Sequence, residues 1–295
     1  MTETFMKLRL TVFFVVLAAA LPHAQNSTPL DTNAIAQAFG VPGQLQGDVY
    51  KVTLPRGDLS VTVGGVKIRA GLALGSWAAF RRAGNDAVAH GDLVLLDREV
   101  NPVISALQAG HIDITAVHNH LLDETPHLEY VHFWGRGREA DLATTLKSAL
   151  AKTATPMAAA APAAAADFPQ ADAIQKALGK TGTVKNGVLG VAVPRPEKIT
   201  MMGVELPPSM GMAISMNFQA AGDGRVASTG DFVLTADEVN AVARALRQHD
   251  IAITALHNHM VHGSPDLYFM HFWALGAPDA VGSGLRAALD ATAAR

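Results

Sequence analysis

The chain is internally repeated, and the repeat leaves little freedom in the choice of fold. Gly91-Asp92-Leu93-Val94-Leu95 matches Gly230-Asp231-Phe232-Val233-Leu234, and the run from Ile112 to His120 matches that from Ile251 to His259. His132-Phe133-Trp134 and His271-Phe272-Trp273 keep the same offset of 139 residues, the separation of His118 and His257. Upstream, Pro55-Arg56 matches Pro194-Arg195 and Ile35 matches Ile174, with a single one-residue gap near Phe80 and Phe218. Two copies that match over nearly their whole length are expected to share one fold and to pack about a pseudo-twofold axis, as the halves of a homodimer do. The expected domains are residues 31–150 and 168–295. Residues 151–167, alanine-rich and broken by Pro156 and Pro162, offer no face to pack and read as a linker.

Within a copy, hydrophobic spacing predicts a short helix (Thr32 to Phe39; Ala171 to Leu178), then strands over Val49 to Leu54, Val61 to Ile68 and Gly71 to Phe80, with Gly64-Gly65 as a turn. A strand from Asp92 to Leu96 precedes a helix. In the second copy that helix opens with Thr235 and Glu238, the spacing of a capping box, and carries Val239, Val242, Ala243 and Leu246 at helical intervals. Strands Ile112 to His120 and Leu128 to Trp134 form a hairpin, and a last helix aligns Leu142, Leu146 and Leu150. Strand, helix, hairpin, helix is an α+β order: two tandem homologous domains, each a mostly antiparallel sheet with helices on one face, for which a ferredoxin-like core is the first expectation.

Composition narrows the function. Hydrophobic residues make up 49% and charged residues 17% of 295, enough apolar surface for real cores and too little charge for a disordered chain. With 23 basic and 26 acidic residues there is no basic field to neutralise phosphates, which argues against a nucleic-acid partner. Cysteine is absent, so disulfides, thiolate metal sites and cysteine nucleophiles are excluded. Residues 1–24 read as a signal peptide: Lys7 and Arg9 precede an apolar run from Leu10 to Leu21, followed by Pro22-His23-Ala24. A run of about twelve residues is too short to span a bilayer. The expected location is periplasmic or secreted, with no membrane span in the mature chain.

Six of the twelve histidines fall in the repeated motif: His118, His120 and His132 in the first copy, His257, His259 and His271 in the second. In a strand, a His-x-His pair puts both rings on one face about 7 Å apart. His132 joins that face if the hairpin pairs even-numbered residues with even, and opposing His120 to His132 would centre the turn on Pro126. Three converging imidazoles suit a divalent transition metal, zinc or copper first, with a position open for water or substrate. Ile112, Ile114, Ala116, Leu128, Tyr130 and Trp134 are expected on the same face, the make-up of a small-molecule pocket, with Trp273 as the second copy's counterpart. Glu124 could serve as fourth ligand or general base, and Arg56 and Arg195 could anchor a carboxylate or phosphate. The alternative is structural: buried neutral histidines bonded to Asn119, Asn258 or backbone, in a metal-free ligand-binding or scaffold protein.

At these residues the sequence resembles the LppY/LpqO family of exported bacterial proteins of unassigned function. The matching features are Asp231-Phe232-Val233-Leu234, Glu238-Val239-Asn240, Thr254 to Met260 and Met270-His271-Phe272-Trp273, and the resemblance covers both copies. It implies an exported protein, and, without the cysteine that anchors many members, a soluble periplasmic one. The family's acidic residue before the hairpin-loop proline is matched by Glu124 with Pro126, whereas the second copy has Gly263 with Pro265. That difference leads to the expectation that any chemistry belongs to the first copy.

Overall fold

The computed structural model describes residues 1, 29–157 and 166–295. Apart from Met1, the expected signal peptide lies outside the described residues, as does the middle of the expected linker. The first copy opens with helix α1 (Thr32–Phe39), capped by Asp31, which accepts the Ala34 N–H. Strands β1 (Gln44–Gln46) and β2 (Val49–Pro55) pair as a hairpin. An arm follows: β3 (Thr62–Val63), the Gly64-Gly65 turn, β4 (Val66–Lys67) and one helical turn, α2 (Ala70–Ala73). Then come β5 (Gly75–Ala83), β6 (Asp86–Leu96), α3 (Asp97–Ala109), β7 (Asp113–His118), β8 (Glu124–Thr125), β9 (Leu128–Gly137) and α4 (Glu139–Leu150). The second copy repeats this order with α5 (Ala171–Leu178), β10 (Thr183–Lys185), β11 (Val188–Pro194), β12 (Thr200–Met201) and β13 (Val204–Glu205). A 3-10 turn at Pro208–Met210 takes the place of α2, before β14 (Ala213–Gly222), β15 (Arg225–Leu234) and α6 (Ala236–Gln248). β16 (Ala252–His257), β17 (Gly263–Ser264), β18 (Tyr268–Gly276) and α7 (Pro278–Asp290) complete it. The protein is thus two tandem homologous α+β domains.

Each domain is built on a six-stranded antiparallel sheet, ordered β1-β2-β5-β6-β9-β7 and β10-β11-β14-β15-β18-β16. The unit β6-α3-β7-β9, with β9 between two parallel neighbours, is the split βαβ arrangement of a ferredoxin-like core. The fourth place, beside β6, is filled by β5, which precedes the unit. No strand returns after α4 because the chain leaves there for the second domain. The segment from Gly71 to Phe80 also departs from the expected continuous strand: α2 occupies its start, burying Leu72.

Strand periodicity of two sorts the side chains into two sets. In the first domain Val52, Leu54, Ala78, Phe80, Ala89, Leu93, Val131 and Phe133 pack with helical residues such as Ile35, Val103 and Leu146. The alternate residues face the other domain: Val49, Ala79, Val88 and Trp134 share one apolar cluster with Met210 and Met212. The arm of the first copy reaches across as well, where Arg69 N–H donates to Gln219, whose amide donates to the Lys67 carbonyl, and Asn217 donates to the Leu72 carbonyl.

The hairpin of β7 and β9 carries a bulge between Ile114 and Ala116. Ile114 pairs with Phe133 and faces the helices, whereas Ala116 pairs with His132 and His118 with Tyr130 on the interdomain face. The bulge shifts the alternation by one residue. It corrects two expectations: Ile112 and Ile114 lie in the helix-covered core instead of beside the histidines, and His132 opposes Ala116 instead of His120. β16 and β18 have the same bulge between Ile253 and Ala255.

The start of the expected linker is packed. Thr155 is buried, Met157 rests on the first core, and the Ala154 N–H donates to Glu99. Ala293 donates to Glu238 in the same way, so the repeat runs past α4 and α7. Among the described residues no helix is long and apolar enough to cross a membrane.

Gly91 and Gly230 sit where strands leave no room for a side chain. A Cβ on Gly91 would overlap the Trp77 carbonyl and the Phe133 ring, and one on Gly230 the Ser215 carbonyl. Gly91→Ala and Gly230→Ala should each lower stability by about 1–3 kcal/mol through overpacking, read as a drop in the urea midpoint; an unchanged midpoint would contradict this packing.

Candidate metal centre

β7 with the loop after it, together with β9, delivers His118, His120 and His132 to the interdomain face. The corresponding segments of the second copy deliver His257, His259 and His271. The two sets meet. His118 stacks on His257 with ring centroids 3.6 Å apart, His120 on His271 at 3.9 Å and His132 on His259 at 3.7 Å. The pairing is reciprocal under the 139-residue offset, as a twofold relation requires. Tyr130 covers the outer face of the group by stacking on His120 at 3.4 Å, and Phe269 does so on His259 at 3.6 Å. The two expected sets of three are therefore not apart from one another: they lie stacked at the junction as one group of six imidazoles.

Hydrogen bonding fixes the tautomers of three rings. His118 Nδ1 faces the Asn119 carbonyl at 3.2 Å, His257 Nδ1 the Asn258 carbonyl at 3.3 Å, and His271 Nδ1 the Gly230 carbonyl at 3.1 Å. A carbonyl can only accept, so Nδ1 carries the proton and Nε2 presents its lone pair. The Nε2 atoms of all six histidines are buried without a hydrogen-bond partner. Ligand atoms of His118, His120 and His132 lie within 4.8 Å of one another, and so do those of His118, His257, His259 and His271. These groups could hold a metal ion.

Burial disfavours the imidazolium throughout. It brings His118 down to about 3, with the neighbouring His257 adding to the effect, and His257 down to about 4. His120, His132, His259 and His271 fall well below the usual histidine range, through burial first and crowding by the other rings second. The rings are neutral at pH 7, the state a metal requires.

Several polar residues around the centre carry little sequence signal. Asp92 pairs across the strands with His132, and Asp231 with His271. Asp92 lies 3.8 Å from Nε2 of both His120 and His132. Burial and the neighbouring Asp231 push Asp92 well above the ordinary carboxylate range, and burial lifts Asp231 to about 7. Lys51 sits over the Trp77 ring at 4.0 Å, donates to the Ser209 carbonyl, and is lowered by burial to about 8 against the pull of both aspartates. The usable clue was a carboxylate inside an otherwise apolar strand, repeated at 92 and 231. Lys51 has no such clue, because Gly190 stands at the matching position. His90 and Thr229 also match in position, bonding the carbonyls of Phe133 and Phe272.

The remaining expected site residues lie elsewhere. Glu124 belongs to neither histidine group: its buried carboxylate accepts the Leu128 N–H at 3.2 Å and meets His127 Nδ1 at 2.8 Å, holding the hairpin loop. Trp134 packs beside His90, and Trp273 against the arm of the first copy, so both serve the interdomain contact. Arg56 and Arg195 do not await a ligand. Arg56 is fully buried and bonds Asp58, Glu99 and the Val94 carbonyl; Arg195 bonds Glu197, Glu238 and the Val233 carbonyl. Glu99 and Glu238 each also accept the N–H that precedes the following helix, from Leu96 and Thr235, so one carboxylate holds a helix start and an arginine together.

The profile of the family described as Domain of Unknown Function (DUF1259) matches residues 33–152 and again residues 172–291. The chain belongs to this DUF1259 family. Its two family domains are the two structural copies. No curated protein matches the chain. Among solved structures it is similar to EtuB from Clostridium kluyveri, at 11% identity and a TM-score of 0.20 over 84% of this chain and 88% of that one. A trimeric bacterial microcompartment shell protein, PduB, gives 11% identity and 0.19 over 83% and 87%. TP0453 in crystal form I gives 10% and 0.19 over 90% and 98%. Scores this low carry no statement about the fold or function of the DUF1259 chain.

Removing Arg56 would strand the buried Glu99. Arg56→Met should cost about 3–5 kcal/mol, measured by urea unfolding, while leaving the histidine junction chemically intact. The second hub adds an acid dependence. Burial pulls Glu238 up, but Arg195 and the N–H groups of Thr235 and Ala293 outweigh it and hold it below 4.5, and Arg195 holds Glu197 below 4.5 as well. The unfolded chain therefore takes up these protons first, and the stability they contribute is full above pH 4.5 and lost as the pH falls through the folded values. The urea midpoint should drop steeply below roughly pH 4.5 and less steeply in Glu238→Gln; equal slopes would remove the hub from this role.

Proposed function

We propose that this protein binds a transition metal at the junction of its two repeats and acts in the bacterial envelope on, or in response to, a small ligand. The observation that carries the reading is the set of six buried Nε2 atoms without hydrogen-bond partners. A buried acceptor left unpaired costs about 1–3 kcal/mol, so six of them would cancel much of the roughly 5–15 kcal/mol by which a domain is stable. Metal coordination repays that cost directly. Nitrogen donors alone, with no thiolate available, suit zinc or copper ahead of magnesium or calcium. The envelope location rests on the N-terminal export pattern and on the resemblance to LppY/LpqO proteins.

A metal-free reading draws on the ring stacking itself, since imidazoles sandwiched by Tyr130 and Phe269 can fill a core. Metal analysis separates the two. His118 and His257 stack on each other and are both partly exposed, so the double variant His118→Ala/His257→Ala should keep its circular dichroism and thermal transition. The full chain, loaded with zinc or copper and dialysed, should retain metal in stoichiometric amount, and the folded double variant should not. A wild-type chain that retains none sinks the metal reading and favours the structural one.

A further inference from the structure

We propose that the centre is binuclear, with one ion in the plane of each copy's three imidazoles. This rests on the metal-binding reading above. Within the first copy the rings are close to parallel, His118 making 13° with His132 and 25° with His120, at centroid separations of 5.0 Å. Within the second copy His257 makes 18° with His271 at 5.0 Å and 31° with His259 at 4.8 Å. Between copies the same rings are stacked face on face, 3.6 to 3.9 Å apart. The histidines thus form two layers of three.

An imidazole donates to a metal along the Nε2 lone pair, which lies in the plane of its ring. Three rings in one layer can converge on an ion in that layer. The rings stacked over them cannot reach the same ion, because a point between the layers meets their π faces instead of their lone pairs. Six nitrogens in two layers therefore call for two ions, and the layer spacing falls in the range of about 3.5–4 Å found between the ions of two-metal sites. Each layer also has its own carboxylate in the strand pairing, Asp92 with His132 and Asp231 with His271. Burial holds these carboxyls toward the protonated state, and an ion in each layer would favour their ionised form. A ring nitrogen of His118 lies within 4.8 Å of all three second-copy ligand atoms, and one also of its own partners' ligand atoms, as fits a residue beside the axis between neighbouring ions.

The test is copper(II) loading of the full chain, with metal per chain measured by mass spectrometry and coupling read by electron paramagnetic resonance. Two copper ions per chain are expected. Their spectrum should show a weakened mononuclear signal or a half-field transition, because the spins are less than about 4 Å apart. His120→Ala, checked for folding by circular dichroism, should retain one ion and show an ordinary mononuclear spectrum; its counterpart His259→Ala should do the same. One ion per wild-type chain, or two without coupling, overturns the binuclear centre while leaving metal binding standing. No retained ion overturns the reading beneath it. A folded His120→Ala protein that keeps two ions, or loses both, overturns the assignment of one ion to each layer.

Discussion

Each sheet in this protein has helices on only one of its faces. The other face carries its own row of buried side chains, of which the first copy's arm covers only one end, with Leu72 and Leu74 clustered with Val94 and Tyr130. The two domains solve this by facing one another, so that Val49, Ala79 and Trp134 of one copy share an apolar cluster with Met210 and Met212 of the other. Polar groups on that face, buried or half-buried, find partners across the junction. Lys51 finds Ser209, Arg69 finds Gln219, and Thr254 donates to the His120 carbonyl at 2.6 Å. The histidine centre is the same constraint carried to its extreme: imidazoles aimed into the junction from both sides can meet only each other, or an ion.

Two devices hold that arrangement in register. The bulges in β7 and β16 let one edge strand serve both faces, with Ile114 in the helix-covered core and His118 on the junction. The arginine hubs fix the frame behind it. Arg56 ties the end of β2 to the carbonyl of Val94 in β6 and to the start of α3, and Arg195 repeats this in the second copy. Such hubs join elements distant in sequence, and as buried charges they must stay satisfied to be tolerated at all.

The copies diverge where they meet. Lys51 faces the aspartates from the first copy only, Gly190 standing at its counterpart; Tyr130 is matched by Phe269, His90 by Thr229, and Glu124 by Gly263. A strict twofold would place two ammonium groups beside Asp92 and Asp231, doubling the buried positive charge that must be desolvated. A single lysine avoids it. Duplication within one chain permits this asymmetry, which a homodimer of identical halves could not adopt.

The duplication, the α+β class and the six paired histidines follow from the sequence because each is a local or periodic property: a constant offset, alternation in strands, helical spacing with a capping box at Thr235 and Glu238. The capping box was legible, yet its second role as partner of Arg195 was not, because that contact spans residues 195 and 238 and no periodicity links them. The parity that sets His132 beside His118 was readable, but the bulge at Ile114 and Ala116 was not, so Ile112 and Ile114 were expected on the wrong face. Arg56, Arg195 and Glu124 looked like free functional groups because sequence records charge and not its neighbours. The tertiary structure alone decided that two sets of three histidines become one centre. That outcome depends on which sheet face each copy leaves uncovered and on the rotation that brings those faces together, and neither quantity is encoded in any stretch short enough to read from the chain.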